Sequence, residues 1–106
     1  MSEMLGYNKL IRDKVPGIIA AAGKRYEIRK LDRTEYLARL KEKLQEEVDE
    51  YLKSEELEEL ADILEVVRAL VKEHGVDADE LEEIRVQKAV ERGGFEARIL
   101  LVEAEE

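Results

Sequence analysis

Hydrophobic residues recur every three or four positions over most of this chain, which predicts three long amphipathic helices. Thr34 is expected to cap the first helix and Ser54 the second, with Asp77 or Asp79 opening the third. Asp13 is expected to cap a shorter helix before them. The predicted long helices cover residues 34 to about 52, 54–73, and 77 or 79 to about 93–94.

Two shorter segments alternate polar and apolar residues, as half-buried strands do. These are residues 25–31, near the start, and 95–102, near the end. Their similar length predicts an antiparallel pair. No repeat, linker or low-complexity segment divides the chain, so residues 1–106 are expected to form one domain. The predicted fold is therefore mainly α, a helical bundle with a small two-stranded β addition.

The chain is short and acidic, with 106 residues, a formal net charge of −9 and no cysteine. A core of this size is marginal for a monomer and no disulfide can support it, so self-association is expected, as a dimer or tetramer. The acidic balance disfavours binding to a nucleic acid polymer. Because neither a membrane span nor a leading signal is found, a cytoplasmic protein is expected.

The charge is unevenly distributed along the chain. Residues 1–33 carry a net charge of +4, residues 34–83 a net charge of −12, and residues 84–106 a net charge of −1. An acidic middle section indicates that something cationic is held there, and the basic start leaves room for an anion nearby.

Four carboxylates occupy unexpected positions on the first two long helices. Glu47 falls inside the apolar arc of the first helix, with Glu50 one turn further along on its edge. Glu59 falls inside the apolar arc of the second helix, with Asp62 on its edge. Residues three apart share a helix face, and a short turn joins the helices, so the two pairs should meet near the hairpin end.

Four converging carboxylates would repel one another and lose hydration unless a cation lay between them. Hard divalent ions with a preference for oxygen ligands, Mg²⁺ or alternatively Mn²⁺, suit such a site. Two structural alternatives stay open. The acids can be ordinary solvated residues of a Glu-rich chain, or they can form a buried ion-pair network with Lys43 or Arg68.

These residues also carry a family resemblance. The sequence EEVDE at 46–50, followed by ELAD at 59–62, resembles the EExxE…ExxD signature of the MazG-like, all-α nucleoside triphosphate pyrophosphohydrolases. Two flanking segments, YNKLIRDKVP at 7–16 and KAVERGGF at 88–95, resemble a branch of house-cleaning pyrophosphohydrolases. The superfamily also includes phosphoribosyl-ATP pyrophosphohydrolase.

The resemblance implies a helix-rich homodimer that hydrolyses a nucleotide between its α and β phosphates, giving a monophosphate and pyrophosphate. It implies that Mg²⁺ binds to Glu47, Glu50, Glu59 and Asp62. Glu46 would help to activate water, alongside Glu47. The base and sugar of the substrate stay open, because only eight residues separate the two motifs.

Basic side chains must hold the phosphates of an anionic substrate. The candidates lie in the basic start of the chain and on the third long helix: Lys9, Arg12, Lys14, Lys88 and Arg92. The main alternative to an enzyme is a non-catalytic helical module that dimerises or binds a nucleotide without cleaving it.

Overall fold

The computed structural model describes residues 3–106, so the first two residues of the predicted domain lie outside the described range. Within this range the architecture is mainly helical, as predicted. No helix in the described range is both long and apolar enough to cross a membrane. The helices, in chain order, are α1 (Val15–Ala21), α2 (Arg33–Ser54), α3 (Leu57–Glu73) and α4 (Ala78–Arg92).

Aspartates cap two of the long helices. The side chain of Asp32 accepts a hydrogen bond from the backbone N–H of Glu35 at 2.9 Å, which caps α2. Thr34, the cap expected from the sequence, lies inside the helix instead. At α4 the alternative between two aspartates is resolved, because Asp77 accepts from the N–H of Glu80 at 3.0 Å.

The two other predicted caps are wrong. Lys14, not Asp13, precedes α1, and it makes no side-chain capping bond. Ser54 is the last residue of α2, and its hydroxyl accepts from the N–H of Glu56, which itself precedes α3. The α2 helix therefore runs slightly further than expected, and the connection to α3 is correspondingly tight.

The helices α2 and α3 form the centre of the molecule as a hairpin. Glu55 closes the turn between them in a left-handed conformation (φ 57°), and its N–H donates to the carbonyl of Tyr51 at 2.7 Å. The buried apolar side chains in the described part of the chain are Leu40, Val66 and Val71. The core is thus small and lies along the α2–α3 seam.

The predicted two-stranded addition is not seen, since residues 3–106 contain no strand. Both segments, 25–31 and 95–102, are irregular, and their residues are exposed except Leu31, which is half-buried. In the second segment Arg98 has a positive φ of 58° and its N–H donates to the carbonyl of Phe95 at 3.1 Å, so a local turn interrupts the extended run. A lone two-stranded ribbon without a packed face is marginal in any case.

The chain is elongated. Its extents are 64 × 32 × 25 Å and its radius of gyration is 18.7 Å, whereas a compact chain of this length has about 13 Å. The helix α4 contacts α3 but not α2, and α1 packs on no other helix in the described range. The elongation therefore comes from elements outside the α2–α3 hairpin.

Candidate metal centre

Three carboxylates meet where the α2–α3 hairpin turns. Glu47 and Glu50 lie seven and four positions before the last residue of α2, and Glu59 lies in the first turn of α3. One carboxylate oxygen from each of the three lies within 4.8 Å of the others. The tight turn at Glu55 places the three side chains at the same level along the hairpin, as the spacing of the acids predicts.

Burial differs among these three side chains. Glu47 is only 9% exposed and is the buried charged residue among residues 3–106, while Glu59 is half-buried and Glu50 is exposed. The burial of Glu47 agrees with its position inside the apolar arc of α2. The cluster therefore has one side in the helix seam and one side open to solvent, from which an ion and its water ligands can enter.

The electrostatics of the cluster disfavour its charged form. The pKa of Glu59 is raised by loss of hydration and by the nearby carboxylates of Glu50, Asp62 and Glu47. A carboxyl group that resists ionisation among other acids is a place where a divalent cation would be favourable.

Asp62 lies beside Glu59 but outside the group of three. Its Oδ1 accepts a hydrogen bond from Nη2 of Arg12 at 2.6 Å, in a pair that is half-exposed. The fourth predicted ligand is therefore held by a guanidinium group from the basic start of the chain. Since the pair is open to water, exchanging this partner costs little.

Glu46 faces two lysines. Its Oε1 lies 3.2 Å from Nζ of Lys9, and its Oε2 lies 3.5 Å from Nζ of Lys43. Burial raises the pKa of Glu46, but the hydrogen bond from Lys9 and the charge of Lys43 outweigh it, so the pKa is lowered overall. This carboxylate therefore stays anionic.

Lys43 also contacts Glu47, with 3.3 Å between Nζ of Lys43 and Oε1 of Glu47. One of the two structural alternatives raised by the sequence, ion pairing with Lys43, is thus present on one side of the cluster. The spacing of three and four residues along α2 accounts for it. Arg68 instead lines a shallow cleft near the other end of α3, together with Tyr36 and Glu65.

The start of the chain lies along the edge of the carboxylate cluster. Lys9 contacts Glu46 and Arg12 contacts Asp62, two acids that flank the cluster, and the carbonyl of Asn8 accepts a hydrogen bond from Nη1 of Arg39 at 3.1 Å. This last contact holds the segment against α2. It could not be found from the sequence, because it joins residues 31 positions apart with no local pattern.

In the described part of the chain, the other predicted phosphate ligands make no ion pair with these acids. Lys14 precedes α1 and is exposed. Lys88 and Arg92 are exposed on α4, which does not contact α2. The structure therefore gathers two of the five predicted basic residues around the acids of the same chain.

The donor set fits a hard divalent cation. Around one octahedral Mg²⁺ with bonds of about 2.1 Å, adjacent ligand oxygens lie about 3.0 Å apart and only opposite ones about 4.2 Å. The three carboxylate oxygens lie within 4.8 Å of one another, so they must move closer together to bind one ion, and the exposed side chain of Glu50 has room to rotate towards the other two. Carboxylates alone do not select between Mg²⁺ and Mn²⁺.

Comparison of the chain with protein-family models, with curated proteins and with solved structures finds no match.

Proposed function

We propose that this protein is a Mg²⁺-dependent nucleotide pyrophosphohydrolase. Its substrate would be a nucleoside triphosphate or a related nucleotide such as phosphoribosyl-ATP, cleaved between the α and β phosphates to a monophosphate and pyrophosphate. The observation that supports this proposal best is the group of Glu47, Glu50 and Glu59 on adjoining helix ends. A cytoplasmic location belongs to the same proposal.

The charges around the cluster suit this chemistry. A bound divalent cation would neutralise phosphate charge and lower the pKa of a water molecule. Glu47, Glu50 and Glu59 would hold it, and Asp62 would join them on release from Arg12. Residues beside an acidic cluster must also attract an anionic substrate, and Lys9 and Arg12 already lie there.

In the proposed reaction, water attacks the α phosphorus, the bond from that phosphorus to the bridging oxygen breaks, and pyrophosphate leaves with the bond electrons. A carboxylate accepts the proton of the water. Glu46 stays anionic between its two lysines, so it is available as an acceptor. Lys9, once it shifts from Glu46 to phosphate, would leave that acceptor more basic.

The test is a screen of canonical and damaged nucleotides for pyrophosphate release with Mg²⁺, Mn²⁺ or a chelator. We expect release from at least one nucleotide with a divalent cation and none with the chelator. Glu47→Gln should abolish turnover while the helical circular dichroism is retained.

Glu58→Gln is the matched control, because it removes the same charge from an exposed position next to Glu59 on α3. It should leave turnover unchanged. If Glu47→Gln turns over nucleotide at the wild-type rate, these carboxylates are not the catalytic centre.

A non-catalytic nucleotide-binding module is the second candidate, and the contact of Lys43 with Glu47 favours it. In that case Lys43 supplies the positive charge and no cation is required. Calorimetry separates the two functions: nucleotide binding that is saturable without Mg²⁺, and never followed by product, would support the binding module.

A further inference from the structure

The chain exposes far more surface than a compact monomer. Its accessible surface is 10121 Å², whereas a compact protein of 12.2 kDa exposes about 6,000 Å². The excess is about 4,000 Å² per chain on this scaling. Permanent dimers bury about 2,000–5,000 Å² in total, so the excess is large enough to supply such an interface.

Part of this surface is an apolar stripe on α3. Leu57, Leu64 and Val71 are spaced seven residues apart and therefore share one helix face. Val71, near the connection to α4, is 8% exposed, but Leu64 is 61% and Leu57 81% exposed. The face is covered at the end of α3 from which α4 departs and open at the end that carries Glu59.

The other large part is the segment that follows α4, here named the C-terminal segment and defined as residues 95–102. Five of its eight residues are large and apolar, and each of these is at least 75% exposed: Phe95, Ile99, Leu100, Leu101 and Val102. A contiguous exposed apolar run of this kind marks an interaction surface. Nothing in the described part of the same chain covers it.

We infer that the C-terminal segment of one copy packs on the open α3 stripe of a second copy. The four residues that follow the turn at Arg98, 99–102, span up to about 13 Å when extended, and the distance along a helix from Leu57 to Leu64 is about 10.5 Å, so this part of the segment is long enough. Since each chain carries both surfaces, two equivalent contacts close a symmetric dimer.

A second copy is favoured over another protein because the two surfaces occur on the same chain and are both apolar. The inference is independent of the proposed function, because neither surface includes a carboxylate of the metal centre.

The first test measures mass in solution by light scattering, without divalent cations. Wild-type protein should have twice the mass of the chain. Leu64→Asp and Leu101→Asp should each give monomers at the same concentration, with helical circular dichroism retained. Ile18→Asp, at another exposed apolar position (65%), should stay dimeric. A monomeric wild-type protein, or dimeric Leu64→Asp and Leu101→Asp variants, would overturn the inference.

The second test identifies which surfaces meet. Because the chain has no cysteine, Leu64→Cys and Leu101→Cys each introduce a unique thiol. Under mild oxidation, a mixture of the two variants should form the mixed disulfide, while Ile18→Cys mixed with Leu101→Cys should not. If Leu64→Cys chains link only to one another, α3 pairs with α3 instead and the assignment of the C-terminal segment is wrong.

Discussion

Glu59 is surrounded by like charges, and its pKa is raised by lost hydration and by the carboxylates of Glu50, Asp62 and Glu47. Without divalent cations its ionised form therefore destabilises the folded state. We expect Glu59→Gln to raise the thermal midpoint near neutral pH in a chelator. With Mg²⁺ the wild type should have the higher thermal midpoint, because bound Mg²⁺ stabilises its folded state and Glu59→Gln binds the ion more weakly.

The raised pKa of Glu59 also determines how the stability of the folded state changes with pH. Below the ordinary pKa, Glu59 is neutral in both folded and unfolded chains, so wild type and Glu59→Gln should unfold alike. As the pH rises from the ordinary pKa through the raised one, the unfolded chain releases its proton first and the wild type loses stability relative to the variant. Melting curves in chelator between about pH 4 and pH 7 measure this difference. A constant difference across that range would contradict it.

Arg12 competes with any cation for Asp62, because its guanidinium lies 2.6 Å from the carboxylate. Exposed pairs of this kind are worth up to about 1 kcal/mol, so Arg12→Ala should tighten Mg²⁺ binding by up to about fivefold. Nucleotide binding should weaken in the same variant, because a phosphate partner is lost.

Calorimetric titration with Mg²⁺ alone, and then with nucleotide, measures both effects. Arg33→Ala is the control, since Arg33 pairs with Glu73 at the far end of α3. Weaker Mg²⁺ binding in Arg12→Ala would show instead that Arg12 positions Asp62 for the ion.

The helices could be predicted from the sequence better than their ends could. Apolar spacing is a property of a whole helix, so α2, α3 and α4 are found near their expected places. A cap depends on one side chain reaching one N–H, and Asp32 and Thr34 are both acceptable caps by residue type. Only coordinates show that Asp32 makes the bond.

This difference can be measured at the start of α2. Removing a capping side chain costs about 1 kcal/mol, so Asp32→Ala should lower the free energy of unfolding by that amount. Thr34→Ala should be neutral or slightly stabilising, because Thr34 lies within the helix and alanine is the better helix former. Urea titrations of both variants decide between the two positions; a larger loss in Thr34→Ala would restore it as the cap.

The packing of α2 on α3 is concentrated in few side chains. Leu40 is 3% exposed, the least of the buried apolar residues described. Leu40→Ala should therefore cost about 2–5 kcal/mol, which is the usual range for emptying a core leucine site. Leu52→Ala on the same helix, at 66% exposure, should cost far less. Comparable losses in the two variants would mean that the seam is not the main core.

For the candidate site, the sequence was informative about residues on one helix and less so about residues far apart. Helical spacing places Glu47 beside Glu50, and the short connection brings Glu59 to them. The pairing of Arg12 with Asp62 joins residues 50 positions apart, and no periodic pattern encodes such a contact. The predicted strand pair was wrong for a related reason, because alternation indicates an extended backbone but not its partner.

At the scale of the whole molecule, the role of Lys88 and Arg92 depends on whether a second copy is present. They lie on α4, away from the acids of α2, so the same chain does not bring them to its own metal centre. In the inferred dimer, the C-terminal segment packs on the partner's α3 near the turn that carries Glu59. Arg92 is the last residue of α4 and lies three positions before the first residue of that segment. The dimer would therefore place Arg92 near the other copy's carboxylates.

This arrangement predicts complementation between two inactive variants, Glu47→Gln and Arg92→Ala. In a mixed dimer, one site receives both defects and the other neither, so one intact site forms. With random exchange, half of the dimers are mixed, and pyrophosphate release should recover to about a quarter of the wild-type rate. Mixing Glu47→Gln with Glu59→Gln is the control: both defects lie in carboxylates of the hairpin, so every site keeps one and no activity should return. If Glu47→Gln and Arg92→Ala fail to complement although native mass spectrometry, with one variant isotopically labelled, shows mixed dimers, Arg92 does not serve the partner's site.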